Sequence, residues 1–439
     1  MANSYLTRSV GTPTNIDKYT FSVWVKRADI GAGNSKIFSV SSGSAYGEEK
    51  LEFNQDDLIW RHTDTSGNTN WERVTDRKFR DSSAWYNIVV AYDSSLGTAG
   101  DRCKMYINGV QETSFSSSSN PSQNADTYIN KNGSTLYIGR LHSSASQYFS
   151  GYMSHMAFVD GSALTPTSFG ETDSTSGIWK FKSPSGITWG NNGFHLKFEN
   201  SGALGTDSSG NGNNLTVSGN LKQALDTPSN SYCTLNPLST DSGVTLSNGN
   251  TESDYDASVG NAKGTLGFSS GKWYWEVKIA TASSDYPMLG IGSLDEASMQ
   301  KPTGGSYPGG FTNSYGGYGN GNVYANGSNT GSQSFTWATN DIIGIAVDLD
   351  SATKTIKWYK NGNSTAIASY NITNAVPFTV MDYNGAEGSV NLQYNFGNGF
   401  FGTTAITSAG SNGNGSLFEY DVPNGYYALN TKNINTYGS

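Results

Sequence analysis

The chain has 439 residues and a formal net charge of −9, with charged side chains at only 14% of positions. Its 27 Lys and Arg are scattered, which leaves no basic stripe for nucleic acid or for an anionic membrane surface. The opening MANSYLTRSV has no basic and apolar leader pattern, and no apolar run nears the roughly 18 residues that span a bilayer, so neither a secretory leader nor membrane insertion is expected.

Such a length exceeds what one core serves, and two domains are the default. Aromatics reach 13%, with 26 Tyr and 10 Trp, beside 53 Gly. That composition suits a turn-rich β protein with a polar, weakly charged surface. From the N-terminus, segments of period two follow in quick order: YTFSVWVKR with Phe21, Val23 and Val25 on one face, SKIFSVSS, EKLEF, DLIWRH, WYNIVVAYD with Ile88, Val90 and Tyr92, CKMYINGV, STLYIGR and GYMSHMAFVD. Ala163 to Glu171 carries at most a helical turn and closes this block.

Between Thr172 and Asp226 one strand stands out, FHLKFEN, with Phe194, Leu196 and Phe198 inward, followed by a turn-rich loop from Asp207 to Asn214. The second block holds GKWYWEVKI, where Trp273, Trp275, Val277 and Ile279 point inward while Tyr274, Glu276 and Lys278 point out. It continues through MLGIGS, NVYANGS, DIIGIAVDLD, TIKWYKNG and VNLQYNFG, and the chain ends on LFEYDVPNGYYALN. Two hairpins share one spelling: CKMYING, with Cys103, Met105 and Ile107 buried, and TIKWYKNG, with Ile356 and Trp358 buried. In each, Asn-Gly supplies the two positive-φ residues of a tight turn. Cys103 and Cys233 fall in different blocks, so no disulfide framework is expected.

In FSVWVKR, WYNIVVAYD with CKMYINGVQ, and LYIGR with YFSGYMSHMAFVDGSALT, the first block resembles the laminin-G/concanavalin A-like jelly rolls. Through GKWYWEVKI, LGIGS, NDIIGIAVDLD, KWYKNG and NLQYNFG, the second resembles the SPRY domain, another antiparallel sandwich. The expected fold is all-β, with two jelly-roll-like antiparallel β-sandwiches in tandem. The boundaries are residues 1–170 for the first sandwich, 171–226 for a bridging segment with extra strands, 227–401 for the second sandwich and 402–439 for a closing or contact segment.

The pairing of these two domains without a leader resembles surface proteins of marine bacteriophage virions. The resemblance implies a protein made in the host cytoplasm and carried on the virion surface as a fibre or capsid decoration. Its partners would be other virion proteins and host-surface glycans, and a homo-oligomer, first of all a trimer, would fit. The expectation is a non-enzymatic structural protein that adheres to host carbohydrate. The alternatives are a polysaccharide-degrading enzyme and a structural component with no ligand.

Glucan-cleaving members of the first superfamily place carboxylates in a Glu-x-Asp-x-x-Glu strand. EEKLEFNQDD, with Glu48, Glu49, Glu52, Asp56 and Asp57, lacks that spacing, and Glu48 and Glu52 read better as charges on a solvated edge. His62, His142, His155 and His195 have no metal spacing and read as hydrogen-bonded structural residues. No cofactor is expected apart from a calcium ion, which the laminin-G resemblance implies at a sandwich rim. Asp207 in TDSSGNGNN is its candidate ligand, although an Asx-turn explains that residue more simply. For sugar binding the candidates are aromatics read as lying in loops: Trp71 in GNTNWER, and Tyr307, Tyr315 and Tyr318 in SYPGGFTNSYGGYGNG.

Overall fold

The computed structural model describes residues 3–438 apart from 42, 44, 45, 256–258, 283–286, 295–305, 375, 386 and 387. It divides into two compact units, Met1–Gln223 and Ala224–Ser439, each built around its own core. Both are all-β.

In the first unit, one sheet runs in the order Phe115–Ser119, Thr69–Thr75, Asp57–Thr63, Glu48–Asn54, Ser35–Ser41, Thr135–Ile138, Tyr5–Ser9 and Thr216–Ser218. The other runs Phe194–Leu196, Gly151–Asp160, Lys18–Arg27, Trp85–Asp93, Cys103–Ile107 and Val110–Gln111, and both sheets are antiparallel throughout. Phe21, Val23, Val25, Ile88, Val90, Leu51, Phe53 and Trp60 fill the space between them. Each such side chain taken out of water contributes about 1.5–3 kcal/mol.

Lys18–Arg27 is buried on both faces, not on one. The reason is a third layer. Residues 161–193 lie over the outer face of the second sheet, where Val89, Ala157, Val159 and Phe169 pack with Leu164, Ile187 and Trp189. Trp179 in the strand Trp179–Phe181 settles against Gly109 and Gly170, where an added Cβ would come within 2.4 Å of the indole. Its Nε1 donates to Asn87 Oδ1 at 3.0 Å.

The second unit repeats this plan. One sheet runs Thr245–Ser247, Glu252–Asp254, Val390–Asn395, Lys272–Ala282, Ile342–Asp348, Thr355–Lys360 and Ala368–Asn371. The facing sheet runs Gly260–Phe268, Phe378–Asn384, Met288–Ser293, Ser314–Tyr318, Asn322–Ala325 and Ser328–Ser332. Trp273, Trp275, Val277, Ile279, Ile343, Ile345 and Val347 all point into the core, as their period-two spacing predicts. Glu276 is a correction: it points away from this core, yet it is fully buried, because Phe418, Val422, Tyr426 and Ala428 cover that face together with Tyr274 and Ala346.

The shared hairpin spelling has a shared physical cause. Asn108 and Gly109 adopt φ of 49° and 79°, and Asn361 and Gly362 adopt 50° and 74°. Asn108 Oδ1 accepts the backbone N–H of Asn87 at 2.8 Å while the Asn108 N–H donates to Asn87 O at 2.9 Å. Asn361 does the same with Ile342, at 2.8 Å both ways. Each turn Asn thus extends the ladder onto the neighbouring strand, which an unpolar side chain cannot do. Replacing Asn361 by Ala, which loses this acceptor and tolerates positive φ poorly, should lower stability by about 1–2 kcal/mol, read as a lower urea midpoint with unchanged slope.

Candidate functional site

The carboxylates that a glycosidase would need are committed elsewhere. Glu48 and Glu52 do share one face of Glu48–Asn54, but this strand lies inside the sheet between Ser35–Ser41 and Asp57–Thr63, so the solvated-edge reading is corrected. The two acids interlock with two lysines. Lys36 Nζ lies 3.5 Å from Glu48 Oε1 and also pairs with Glu52, while Lys50 Nζ lies 3.2 Å from Glu48 Oε2 and 3.0 Å from Glu52 Oε1. Burial alone would raise the Glu48 pKa; His142, 3.4 Å away, and the charges of Lys36 and Lys50 bring it down to about 2. An acid held ionised in this way has no proton to give to a leaving group. Asp56 pairs with Arg27 and Arg80, at 3.5 and 2.7 Å, and Asp57 pairs with Lys78. Glu49 lies on the core side, where its carboxylate accepts the Tyr19 hydroxyl and the N–H groups of Tyr128 and Ile129 at 2.7 and 3.1 Å.

The histidines are held by ring stacking more than by hydrogen bonds, which corrects the expectation of satisfied imidazoles. His155 stacks on Phe181 with centroids 3.5 Å apart, His195 on Trp189 at 5.8 Å, and His62 packs on Trp71 and Tyr128 at 5.9 and 4.3 Å. Burial lowers the pKa of each of these three to about 4, so they are neutral at physiological pH. Among the described residues no group of three or more His, Cys, Asp or Glu side chains is placed to hold a metal ion. Cys103 and Cys233 are both buried.

Asp207 is corrected as a calcium ligand. Its Oδ1 accepts the N–H of His195 and of Ser209 at 2.9 and 2.8 Å, and its Oδ2 accepts Ser209 Oγ and the N–H of Asn213, both at 2.8 Å. Four donors aimed at one carboxylate present positive hydrogens where a cation would sit. The residue organises its own loop and ties it to the strand Phe194–Leu196.

Two of the four aromatic candidates are also corrected. Trp71 sits in the strand Thr69–Thr75 at 1% exposure, its indole packed by Trp60, Tyr92 and His62. Tyr315 sits in Ser314–Tyr318 at 0% exposure between Tyr370 and Phe378. Period two turns both residues to the core side, so neither ring has a face to offer a ligand. Trp71→Ala and Tyr315→Ala should therefore each cost about 3–5 kcal/mol of their unit's stability, visible as loss of the cooperative thermal transition.

Tyr307 and Tyr318 behave differently. They are half-buried on the outer face of the second unit's six-stranded sheet, beside two tyrosines that sequence reasoning passed over, Tyr324 and Tyr383. Tyr307 lies 5.6 Å from Tyr324 at 86° and 5.5 Å from Tyr383 at 44°, and Tyr318 lies 6.4 Å from Tyr324 at 62°. Strand register builds the surface: Met288 stands opposite both Tyr318 and Tyr383, and Tyr383 stands opposite Asn261. The segment carrying Tyr307 lies close on the sheet because Gly316 leaves room, since a Cβ there would meet Pro308 O at 2.2 Å. Burial, then Tyr307, Asp241 and Tyr318, raise the Tyr383 phenol, so it stays a neutral hydrogen-bonding group. Alternation in NVYANGS and FTVMDYN puts Tyr324 and Tyr383 opposite the core residues Val323 and Asp382; their pairing with Tyr318 and Tyr307 needs the sheet order.

The face of the other sheet of this unit is closed by a buried carboxylate. Glu276 accepts the N–H of Glu419 and of Tyr420, both at 2.9 Å, with Asn395 Nδ2 at 3.2 Å and the Tyr274 hydroxyl at 3.3 Å. Burial pushes its pKa up to about 7 in spite of these donors. Against an unfolded value of about 4.3, the folded unit binds the proton more tightly. The stabilisation is complete below about pH 4 and is lost as pH rises through 7. Asp382, raised by its own burial beneath Tyr255 and Tyr394, acts with the same sign. Urea melts should show the second unit weakening between pH 4.5 and 7, and Glu276→Gln, which turns an amide NH2 toward an N–H donor, should flatten that slope and cost about 1–3 kcal/mol.

With two sandwiches, a buried ion-pair quartet in one and an aromatic sheet face in the other, the architecture is that of tandem all-β domains. Residues 2–168 match the family model of the concanavalin A-like lectin/glucanases superfamily, and residues 272–398 match that of the SPRY domain. The first unit thus carries a concanavalin A-like domain and the second a SPRY domain. Among solved structures, the SPRY domain of human HERC1 is similar at 16% identity over 36% of this chain and 96% of its own, with a TM-score of 0.31. The PSpry domain of TRIM65 is similar at 17% identity over 37% and 89%, with a TM-score of 0.31. A heptameric SAP-like pentraxin from Limulus polyphemus is similar at 17% identity over 37% and 72%, with a TM-score of 0.29. No curated protein matches the chain.

Proposed function

We propose that this chain is a non-enzymatic surface protein of a bacteriophage virion, a fibre or capsid decoration, that contacts host-surface carbohydrate. The observation that carries the recognition half is the outward cluster of Tyr307, Tyr318, Tyr324 and Tyr383. Aromatic faces pack on the C–H faces of sugars while phenol hydroxyls meet their hydroxyls, and three of the four rings stand on paired strands, which lowers the entropy lost at binding. The non-enzymatic half is supported by Glu48 and Glu52, both spent on Lys36 and Lys50. Virion display is supported by the resemblance of this domain pairing, with its low charge, to phage surface proteins. A homotrimer joined to other virion proteins is the assembly this reading favours.

The reading is tested on two levels. Mass spectrometry with cryo-EM of purified particles should find the chain in stoichiometric copy at the head or tail surface. On arrays of host polysaccharides the protein should bind, and Tyr324→Ala or Tyr383→Ala should weaken binding about tenfold or more without shifting the melting temperature. Silence on the arrays with the chain present on particles would leave a purely structural component, whereas shortening of the oligosaccharides would establish an enzyme.

A further inference from the structure

In the first unit one arginine is stacked on tyrosine rings and makes no ion pair among the described residues. On the outer face of its eight-stranded sheet, Lys36, Lys50 and Arg61 are each paired with a carboxylate, Arg61 with Glu72 at 2.7 Å. Arg140 is not. Its guanidinium lies over the rings of Tyr5 and Tyr137, 4.5 and 4.9 Å from their centroids, and its Nε donates to Leu141 O at 2.9 Å. The two terminal nitrogens have no hydrogen-bond or ion-pair partner among the described residues. Tyr148 adds a third ring, 6.4 Å from Tyr5, and all four side chains are half-buried. Two polar atoms next to these rings in sequence, Ser4 Oγ and Gln147 Oε1, are buried with no partner.

From this arrangement we infer that Arg140, Tyr5, Tyr137 and Tyr148 form a binding site for a carboxylate-bearing sugar, a uronic acid residue within a polysaccharide. A guanidinium held over two rings and by its own Nε has less rotamer freedom to lose on binding, and its two terminal nitrogens match the two oxygens of a planar carboxylate. Half-burial beside aromatic rings lowers the local dielectric and strengthens that pair relative to an exposed one. With the guanidinium over Tyr5 and Tyr137, the ring of Tyr148 suits the apolar face of a pyranose, which an acidic peptide backbone lacks, so the sugar is the better occupant. The site lies in the other unit from the tyrosine surface proposed above and does not depend on that surface binding anything.

The test is calorimetric titration of the full chain with oligogalacturonate and with its methyl ester, which removes the charge and keeps the sugar. The acid form should bind, and the ester should bind at least about tenfold more weakly, the loss of a charge-assisted pair. Arg140→Lys, which keeps the charge without the fork, should weaken the acid form by about tenfold with an unchanged melting temperature. No heat with the acid form, equal binding of acid and ester, or wild-type affinity in Arg140→Lys would each overturn the proposal. Equal binding of a polyglutamate peptide would overturn the sugar as occupant.

Discussion

The carboxylate of Glu276, closed between a sheet and the segment that follows it in sequence, is the contact on which the second unit depends. The strand Lys272–Ala282 has large apolar side chains on its core face and Tyr274 and Glu276 on the other. A two-faced strand of this kind cannot end at the sandwich, because its second face must also leave water. The segment around Phe418 to Ala428 supplies the cover, and Glu276 receives the N–H groups that such an irregular segment cannot pair within itself. Asn395 joins the same clasp, its Oδ1 accepting Gly397 and Gly399 N–H at 2.9 and 3.1 Å and its Nδ2 donating to Leu417 O at 2.9 Å.

The first unit solves the same problem with different chemistry. Its exposed sheet face is covered by residues 161–193 through Trp179, Trp189 and Ile187, and the indole of Trp179 reaches Asn87, the residue that also receives the hairpin Asn108. Glu49 holds a second crossing segment by accepting two successive backbone N–H groups, as Glu276 does. Burial pushes Glu49 to about 7 as well, so both acids bind irregular backbone at some electrostatic cost. A carboxylate is suited to this task because each oxygen can accept two donors.

These structural duties decide which side chains are already committed. Glu48, Glu52, Asp56 and Asp207 resemble catalytic or metal-binding groups in sequence, and all four are engaged by lysines, arginines or loop N–H groups. What is left toward solvent is aromatic and amide chemistry: the tyrosine surface of the second unit, and the stacked Arg140 of the first with its unspent nitrogens. Within the first unit's sheet the charges of Lys36, Lys50, Glu48 and Glu52 are spent on one another and leave none of the four for an outside partner.

The amino-acid sequence by itself determined the strand content, the inward faces and the two Asn-Gly turns, because these follow from period two and from backbone sterics acting over a few residues. Trp273, Trp275 and Val277, or Phe21, Val23 and Val25, could hardly pair any other way. It also carried the motifs of both domains, in the right order. What only the tertiary structure decided is which outward positions stay outward. Glu276 reads as exposed until a segment some 140 residues later covers it. Trp71 and Tyr315 read as loop aromatics until strand assignment turns them to the core, while Tyr383 joins Tyr307 only through the order of strands in a sheet. Exposure, charge pairing and the joining of distant rings are long-range quantities, set by what packs on a face, and no local pattern of residues contains them.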